Sequence, residues 1–160
     1  MSTLKVNSIT DVAGNSITGQ ILQYKYVNRT AENFSTSSNS DTDVPGLTNT
    51  ITLGNSSNKV IIEANLTPYF NGTTSDGRYG LKIYRDSSIV FHENYMFFRD
   101  DGHIKSMRPH VRYLDNPADT SSHTYKITVN KQEGSATLYF MNNNNNAGNM
   151  VLMEVASWVN

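Results

Sequence analysis

Apolar and polar residues alternate with period two in segment after segment of this chain, each bounded by turn residues, which is the pattern of half-buried strands. In Gln20–Asn28, Leu22, Tyr24 and Tyr26 share a face. In the run from Lys59 to Phe70, Val60, Ile62, Ala64 and Leu66 point one way, and Lys59, Glu63 and Asn65 the other. Tyr79, Leu81 and Ile83 are predicted inward in Arg78–Arg85, and Tyr125, Ile127 and Val129 in Thr124–Asn130. A tight hairpin turn at Gln132-Glu133-Gly134 leads to Ala136, Leu138 and Phe140, also inward. Leu47–Gly54 alternates imperfectly through Leu47, Ile51 and Leu53. Ile89–Phe98, Arg108–Leu114 and Met150–Val159 complete the set, and Pro109 marks a strand start or a sheet edge.

No window carries the i, i+3, i+4, i+7 spacing of an amphipathic helix, so the fold class is all-β. About eight strands follow residue 19, and each has one apolar face. Two antiparallel sheets packed face to face bury those faces together. The polar stretches 31–46 and 114–123 are long enough to cross between sheets in Greek-key fashion. The expected architecture is a jelly-roll-like β-sandwich over residues 19–160, without the internal repeat of a β-helix or propeller.

Residues 1–18 stand apart. The stretch MSTLKVNSITDVAGNS alternates briefly and turns at Ala13-Gly14-Asn15, and Thr18-Gly19 detaches it from the next strand. A strand or hairpin that small cannot cover its own apolar side chains. Leu4, Val6, Ile9, Val12 and Ile17 are therefore read as an assembly arm that pairs with another polypeptide. The alternative is an added edge strand on the chain's own domain.

Composition narrows the function classes. The formal charge is −1, so no basic footprint for nucleic acid exists. Cysteine is absent, which fits a reducing compartment. No signal-peptide pattern opens the chain and no apolar run approaches the roughly 20 residues of a membrane-spanning helix. The expectation is a protein made in the cytoplasm, without membrane insertion.

Candidate chemistry is thin. His92, His103, His110 and His123 fall in no metal-ligating spacing and are expected at surfaces or edges. Asp100, Asp101 and His103 cluster in a turn, whereas the carboxylates of glycoside hydrolysis face each other across a sugar. Asp41-Thr42-Asp43 has the alternate-oxygen spacing of calcium loops but lacks their glycine and distal glutamate. No nucleophile elbow, phosphate-cradling loop or dinucleotide fingerprint occurs. The expectation is a non-enzymatic protein with no cofactor and no metal.

Recognition is the remaining possibility. Tyr84 and Tyr139 fall on the outer faces of their strands, where a ring serves either a subunit contact or a sugar. The loops 71–77, 99–105 and 142–149 are rich in Asn, Gly and Asp. Candidate contacts to a host-surface polysaccharide or receptor are Tyr84, Asn71, Asp76, Asp100, Asp101, His103, Asn142 and Asn144. Trp158 is read as a packing anchor.

The opening Ser2-Thr3-Leu4-Lys5-Val6-Asn7-Ser8-Ile9, followed by Ala13-Gly14-Asn15, resembles the N-terminal segment of structural proteins of tailed phages that infect marine bacteria, notably cyanophages. Gly19–Gln23, Leu47–Thr52, Ser56–Ile62, Arg85–Ser87, Tyr113–Pro117, Thr124–Ile127 and Met153–Ala156 are similar to motifs of a domain in their fibres. The resemblance implies a virion appendage of β-sandwich subunits, homotrimeric and attached through its N-terminal end to other virion proteins. The chain lacks a long fibre shaft. A short tail fibre or fibre tip, a fibre adaptor, a capsid-surface decoration and a glycan-binding module therefore all stay open.

Overall fold

The computed structural model of the 160-residue chain describes residues 20–29, 33–71, 76–99, 108–140 and 148–157, with the side chains of 71, 98 and 99 outside the description. Every element is a strand: β1 (Ile21–Asn28), β2 (Phe34–Thr36), β3 (Thr42–Thr52), β4 (Lys59–Leu66), β5 (Pro68–Asn71), β6 (Gly77–Arg85), β7 (Ser88–Arg99), β8 (His110–Asp115), β9 (Ser122–Gly134), β10 (Thr137–Phe140) and β11 (Gly148–Val155). They form two four-stranded sheets, β1-β11-β4-β8 (sheet one) and β3-β9-β6-β7 (sheet two), and a small third sheet, β2-β10-β5.

Setting the three short strands aside, the first long strand pairs with the last, β1 with β11. The second pairs with the seventh, β3 with β9; the third with the sixth, β4 with β8; and the fourth with the fifth, β6 with β7. All are antiparallel. The chain is thus one long folded hairpin whose successive pairs are dealt alternately to two sheets, which is a jelly roll. Rolling it up adds β11–β4 and β9–β6.

The inward positions predicted from alternation are buried: Val60, Ile62, Ala64, Leu66, Tyr79, Leu81, Ile83, Tyr125, Ile127, Val129, Ala136, Leu138 and Phe140 belong to one core cluster. Each large apolar side chain taken from water contributes about 1.5–3 kcal/mol. Polar ties cross the sandwich where strands end. Tyr125 Oη donates to Asp115 Oδ2 at 2.7 Å, and Arg85 Nη1 donates to the same oxygen at 2.7 Å, joining sheet two to β8. Buried Glu154 accepts from Gly54 N and from Asn58 Nδ2, both at 2.7 Å, fastening β11 to the β3–β4 connection.

Three crossings between sheets run side by side at one end and form the third sheet. Its inner residues Phe70, Leu138 and Phe140 close the core there. Tyr79, pushed up to about 12 by burial, donates its hydroxyl to the carbonyls of Thr36 (2.8 Å) and Ala136 (2.9 Å), anchoring this cap to sheet two.

Several sequence expectations need correction. The stretch 31–46 is not simply a loop, since it holds β2 and the start of β3. The run Lys59–Phe70 is two strands in two sheets, parted at Thr67 before Pro68. Residues 132–134 do not turn a hairpin, because β9 and β10 lie in different sheets. Among the described residues these short elements raise the count of strands from about eight to eleven. Residues 1–18, and with them Leu4, Val6, Ile9, Val12 and Ile17, lie outside the described residues, as does Trp158.

Gly134 makes the passage from β9 into the cap possible. Its φ is +77°, and a Cβ built there would meet the Asp76 carbonyl oxygen at 2.1 Å. That oxygen already accepts from Ser135 N (2.8 Å) and Ala136 N (2.9 Å), so it cannot move away cheaply. Gly134→Ala is expected to destabilise the fold by about 2 kcal/mol or more. The measurement is chemical denaturation, and an unchanged midpoint contradicts this role.

Candidate functional site

With the inner faces consumed by the core, the outer faces and the ends are left for function, and the two outer faces differ. On sheet two, Lys82 Nζ donates to Asp41 Oδ1 at 2.7 Å and Lys126 Nζ to Asp43 Oδ1 at 2.8 Å. Tyr84 Oη donates to Asp41 Oδ2, and the Lys126 ammonium sits 5.4 Å from the Tyr84 ring centroid. Arg78 pairs with Glu133 at 2.7 Å. Charges lace this sheet, with Ile89 and Tyr95 of β7 exposed beside them. Asp41 and Asp43, the pair with the spacing of calcium loops, are each ion-paired with a lysine ammonium.

Sheet one presents the opposite character. Its register lines up Tyr24, Met153, Ile61 and Leu114 as one row across all four strands. The next row is Tyr26, Val151, Glu63 and Arg112, with Arg112 Nε 3.2 Å from Glu63 Oε1. A third row, Asn28, Asn149, Asn65 and His110, borders the cap end. Val151 and Met153 stand outside the core cluster that takes Met150 and Leu152, so they belong to the outer face. Toward the other end, Ile21 and Leu22 are exposed beside a register irregularity. Tyr24 is 58% exposed, Tyr26 53% and Leu114 50%, and they lie in adjacent rows of one face, whereas on sheet two the exposed Ile89 and Tyr95 lie toward opposite ends of β7. The face also has relief: a hollow of about 320 Å³ beside Ile61, Arg112 and Leu114, and a polar cleft of about 430 Å³ lined by Tyr26, Asn28, Asn65, Thr67, Arg108 and Asn149.

The signal for this face was present in the sequence. Val151-Leu152-Met153 and Ile61-Ile62 interrupt alternation with consecutive apolar residues. A strand apolar on both faces is one with both faces meant to be covered.

The predicted contact residues do not converge. Tyr84 lies toward one end of β6 and Asp76 just beyond the other, about 26 Å apart at roughly 3.3 Å per residue. Asn71 ends β5 in the cap, opposite Thr137. Asp76 is exposed, and its backbone carbonyl is taken by the β9–β10 passage. Asp100, Asp101, His103, Asn142 and Asn144 lie outside the described residues. Tyr139 is on an outer face, as predicted, and its ring stacks on Tyr69 with centroids 5.2 Å apart and planes inclined by 29°. Tyr69 was missed, although continuing the parity of Val60–Leu66 through Phe70 places it outward.

His123 departs from the surface placement expected of it. It is buried, with Nδ1 2.9 Å from Asp86 Oδ2 and Nε2 3.0 Å from Asp119 Oδ1. It thereby clamps the β6–β7 turn to the β8–β9 connection at the end opposite the cap. Among the described residues no three His, Asp or Glu side chains converge as metal ligands, and no helix is long and apolar enough to cross a membrane.

No family model matches the chain, and no curated protein does. Among solved structures, a chain of the infectious bursal disease virus Gt strain aligns over 99% of this chain and 43% of its own length, at 11% identity and a TM-score of 0.40. Dimeric latent PorU from Porphyromonas gingivalis aligns over 93% of this chain and 14% of its own, at 9% identity and a TM-score of 0.38. A mutant VP2 protein of infectious bursal disease virus, in derived T=1 particles, aligns over 98% and 40%, at 11% identity and a TM-score of 0.36. This chain thus spans less than half of each of these structures' chains.

Three carboxylates of this architecture are held below the usual range. The His123 hydrogen bond and the Thr124 amide lower Asp86, and the Ser121 amide and hydroxyl, with His123, lower Asp119. At Asp41 burial pushes upward, but the hydrogen bonds from Lys82 and Tyr84 outweigh it. A carboxylate depressed in the folded state binds fewer protons there than in the unfolded chain, so stability rises with pH. Their stabilisation is complete above about pH 4 and is lost as pH falls through the lower folded values. Denaturant midpoints are expected to drop between about pH 5 and about pH 2. The drop should be smaller in Asp86→Asn/Asp119→Asn, and equal slopes in the two chains contradict this assignment.

Proposed function

We propose that this protein is a non-enzymatic structural subunit of a virion that packs against copies of itself through the outer face of sheet one. The observation that carries the reading is the apolar row Tyr24–Met153–Ile61–Leu114, set against the ion-paired outer face of sheet two. Water solvates the second face well and the first poorly. Coverage by another β-face of the same kind removes that difference.

Size argues for a second contribution. Four strands at about 4.8 Å spacing and seven residues at about 3.3 Å give a face of roughly 19 by 23 Å in plan. That is about half of the ~800 Å² per partner in an ordinary stable interface. Residues 1–18 lead into β1, the edge strand of this same sheet. An arm reaching a neighbouring subunit from there adds backbone hydrogen bonds and apolar cover where the face alone falls short.

Virion membership and threefold symmetry are supported by the resemblance of Ser2–Ile9 and of the later motifs to phage fibre proteins. In that reading the protein is a short tail fibre or fibre-tip subunit, a homotrimer, attached through its arm to other virion proteins. The end remote from the arm then meets the host surface. A capsid-surface decoration uses the same face and arm and differs only in the particle site.

Sedimentation equilibrium tests this directly. The intact chain is expected at about three times 17.9 kDa. Tyr24→Asp/Leu114→Asp, which places charge within the apolar row, is expected to remain folded and sediment as a monomer. Deletion of residues 1–18 is expected to leave a folded domain that associates more weakly and no longer enters particles. An intact chain that is monomeric at high micromolar concentration overturns the reading.

A further inference from the structure

The third sheet has an outer face of its own, at the opposite end of the sandwich from Gln20. Its register sets Ser35, Tyr139 and Tyr69 in one row. The two rings stack on each other, so Tyr69 covers one face of Tyr139. Across the row on the other side stands Ser35, whose small side chain borders a recess of about 200 Å³ lined by Asn33, Phe34, Ser35, Tyr69 and Tyr139.

We infer that this recess is a binding site for a neutral sugar ring, stacked on the Tyr139–Tyr69 pair and hydrogen-bonded by neutral polar groups around it. The inference rests on the reading above, in which this end of the subunit faces outward. Four features favour a saccharide over a protein partner. Among the described residues the side chains that line the recess are all uncharged. The flanking groups, a serine hydroxyl, an asparagine amide and two phenols, are both donors and acceptors, as hydroxyl-rich ligands require. Burial and the neighbouring Tyr139 raise the Tyr69 phenol, which like any tyrosine is a protonated donor at neutral pH. Both tyrosines are half-buried rather than projecting, and they form a shallow platform instead of the protruding anchors of a protein hot spot.

The platform is also rigid. Behind it Phe70, Leu138 and Phe140 are fixed in the core, with Phe140 edge-on to Phe97 at 6.3 Å and the Arg29 guanidinium 5.9 Å from the Phe140 ring centroid. The rings are therefore preorganised, and little side-chain freedom is lost on binding. The larger cleft beside Tyr26 belongs to the face assigned above to packing. The recess shares no residue with that face, so both can be occupied at once.

The test uses the full chain and a panel of neutral oligosaccharides built from glucose, galactose, mannose and N-acetylglucosamine, with oligogalacturonate as the acidic arm. Binding is read by saturation-transfer NMR and titration calorimetry. At least one neutral member is expected to bind in the millimolar range and oligogalacturonate no better. Tyr139→Ala is expected to weaken it about three- to tenfold, and Tyr139→Phe much less. Ser35→Trp fills the recess without removing either ring and is expected to abolish binding in a folded chain. Silence across the neutral panel, preference for the acidic arm, or binding indifferent to Ser35→Trp overturns the proposal. If Ser35→Trp instead shifts the sedimentation of the chain, the recess is a subunit contact and the sugar assignment falls. The monomeric Tyr24→Asp/Leu114→Asp chain separates the two readings, since it should keep the sugar and lose only assembly.

Discussion

A strand shows its side chains alternately to two faces, and only one of those faces can enter a two-layer core. In this protein that single constraint decides where function can lie. Val60, Ile62, Leu81, Ile127, Met150 and Leu152 fill the space between the sheets, and every alternate residue must meet water or another molecule. Sheet two meets water: Asp41, Lys82, Asp43 and Lys126 neutralise one another across its surface. Sheet one sets Tyr24, Ile61 and Leu114 in the same kind of position, with no comparable charge among them. The same core demand, satisfied identically on the inside, leaves two different outsides.

The inner half of this arrangement was legible from the chain alone because burial and periodicity are the same fact seen twice. Tyr79, Leu81 and Ile83 alternate because they face the core, and the core takes them because they alternate. Pairing partners were not legible. Thr137–Phe140 has a strand's pattern whether it returns along β9 or leaves for a third sheet, and contacts distant in sequence make that choice. Phe34-Ser35-Thr36 is too short and too polar to read as a strand, and it becomes one because β10 offers an edge. Thr42–Gly46, with its proline, reads as a loop by composition, and it lies where the β3–β9 register is irregular. His123 carried no local sign of burial, since Asp86 and Asp119 come from other connections. Apart from Tyr84, the candidate contact residues belong to polar loops, whereas the platform's second ring, Tyr69, sits in an ordinary alternating run.

The third sheet solves a difficulty that any two-layer sandwich meets at its ends. Where strands stop, the core is open, and the backbone that crosses between layers needs partners for its N–H and C=O groups. Here three crossings lie side by side and pair with each other. Their inner side chains plug the core, and Tyr79 satisfies two of their carbonyls from below. Short strands forced into register by this closing task also bring their outer residues into register. Stacking of Tyr69 on Tyr139 is a by-product of capping the core.

That by-product gives the molecule a direction. One end carries the start of β1, the end of β11 and the His123 clamp, and the other carries a rigid aromatic surface over a sealed core. In the proposed assembly the subunit is held at one end, and attachment determines which surface the outside encounters. The apolar face of sheet one runs between the two ends, so in the proposed trimer copies packed through it around a common axis keep every aromatic cap pointing the same way. A site that binds one sugar ring weakly becomes effective when several identical sites are presented together, each subsequent contact being made at the high local concentration set by the first. The proposed assembly through the side of the sandwich and the proposed weak recognition at its tip are therefore physically complementary: the first supplies the multiplicity that the second, built from two rings and a few neutral groups, requires.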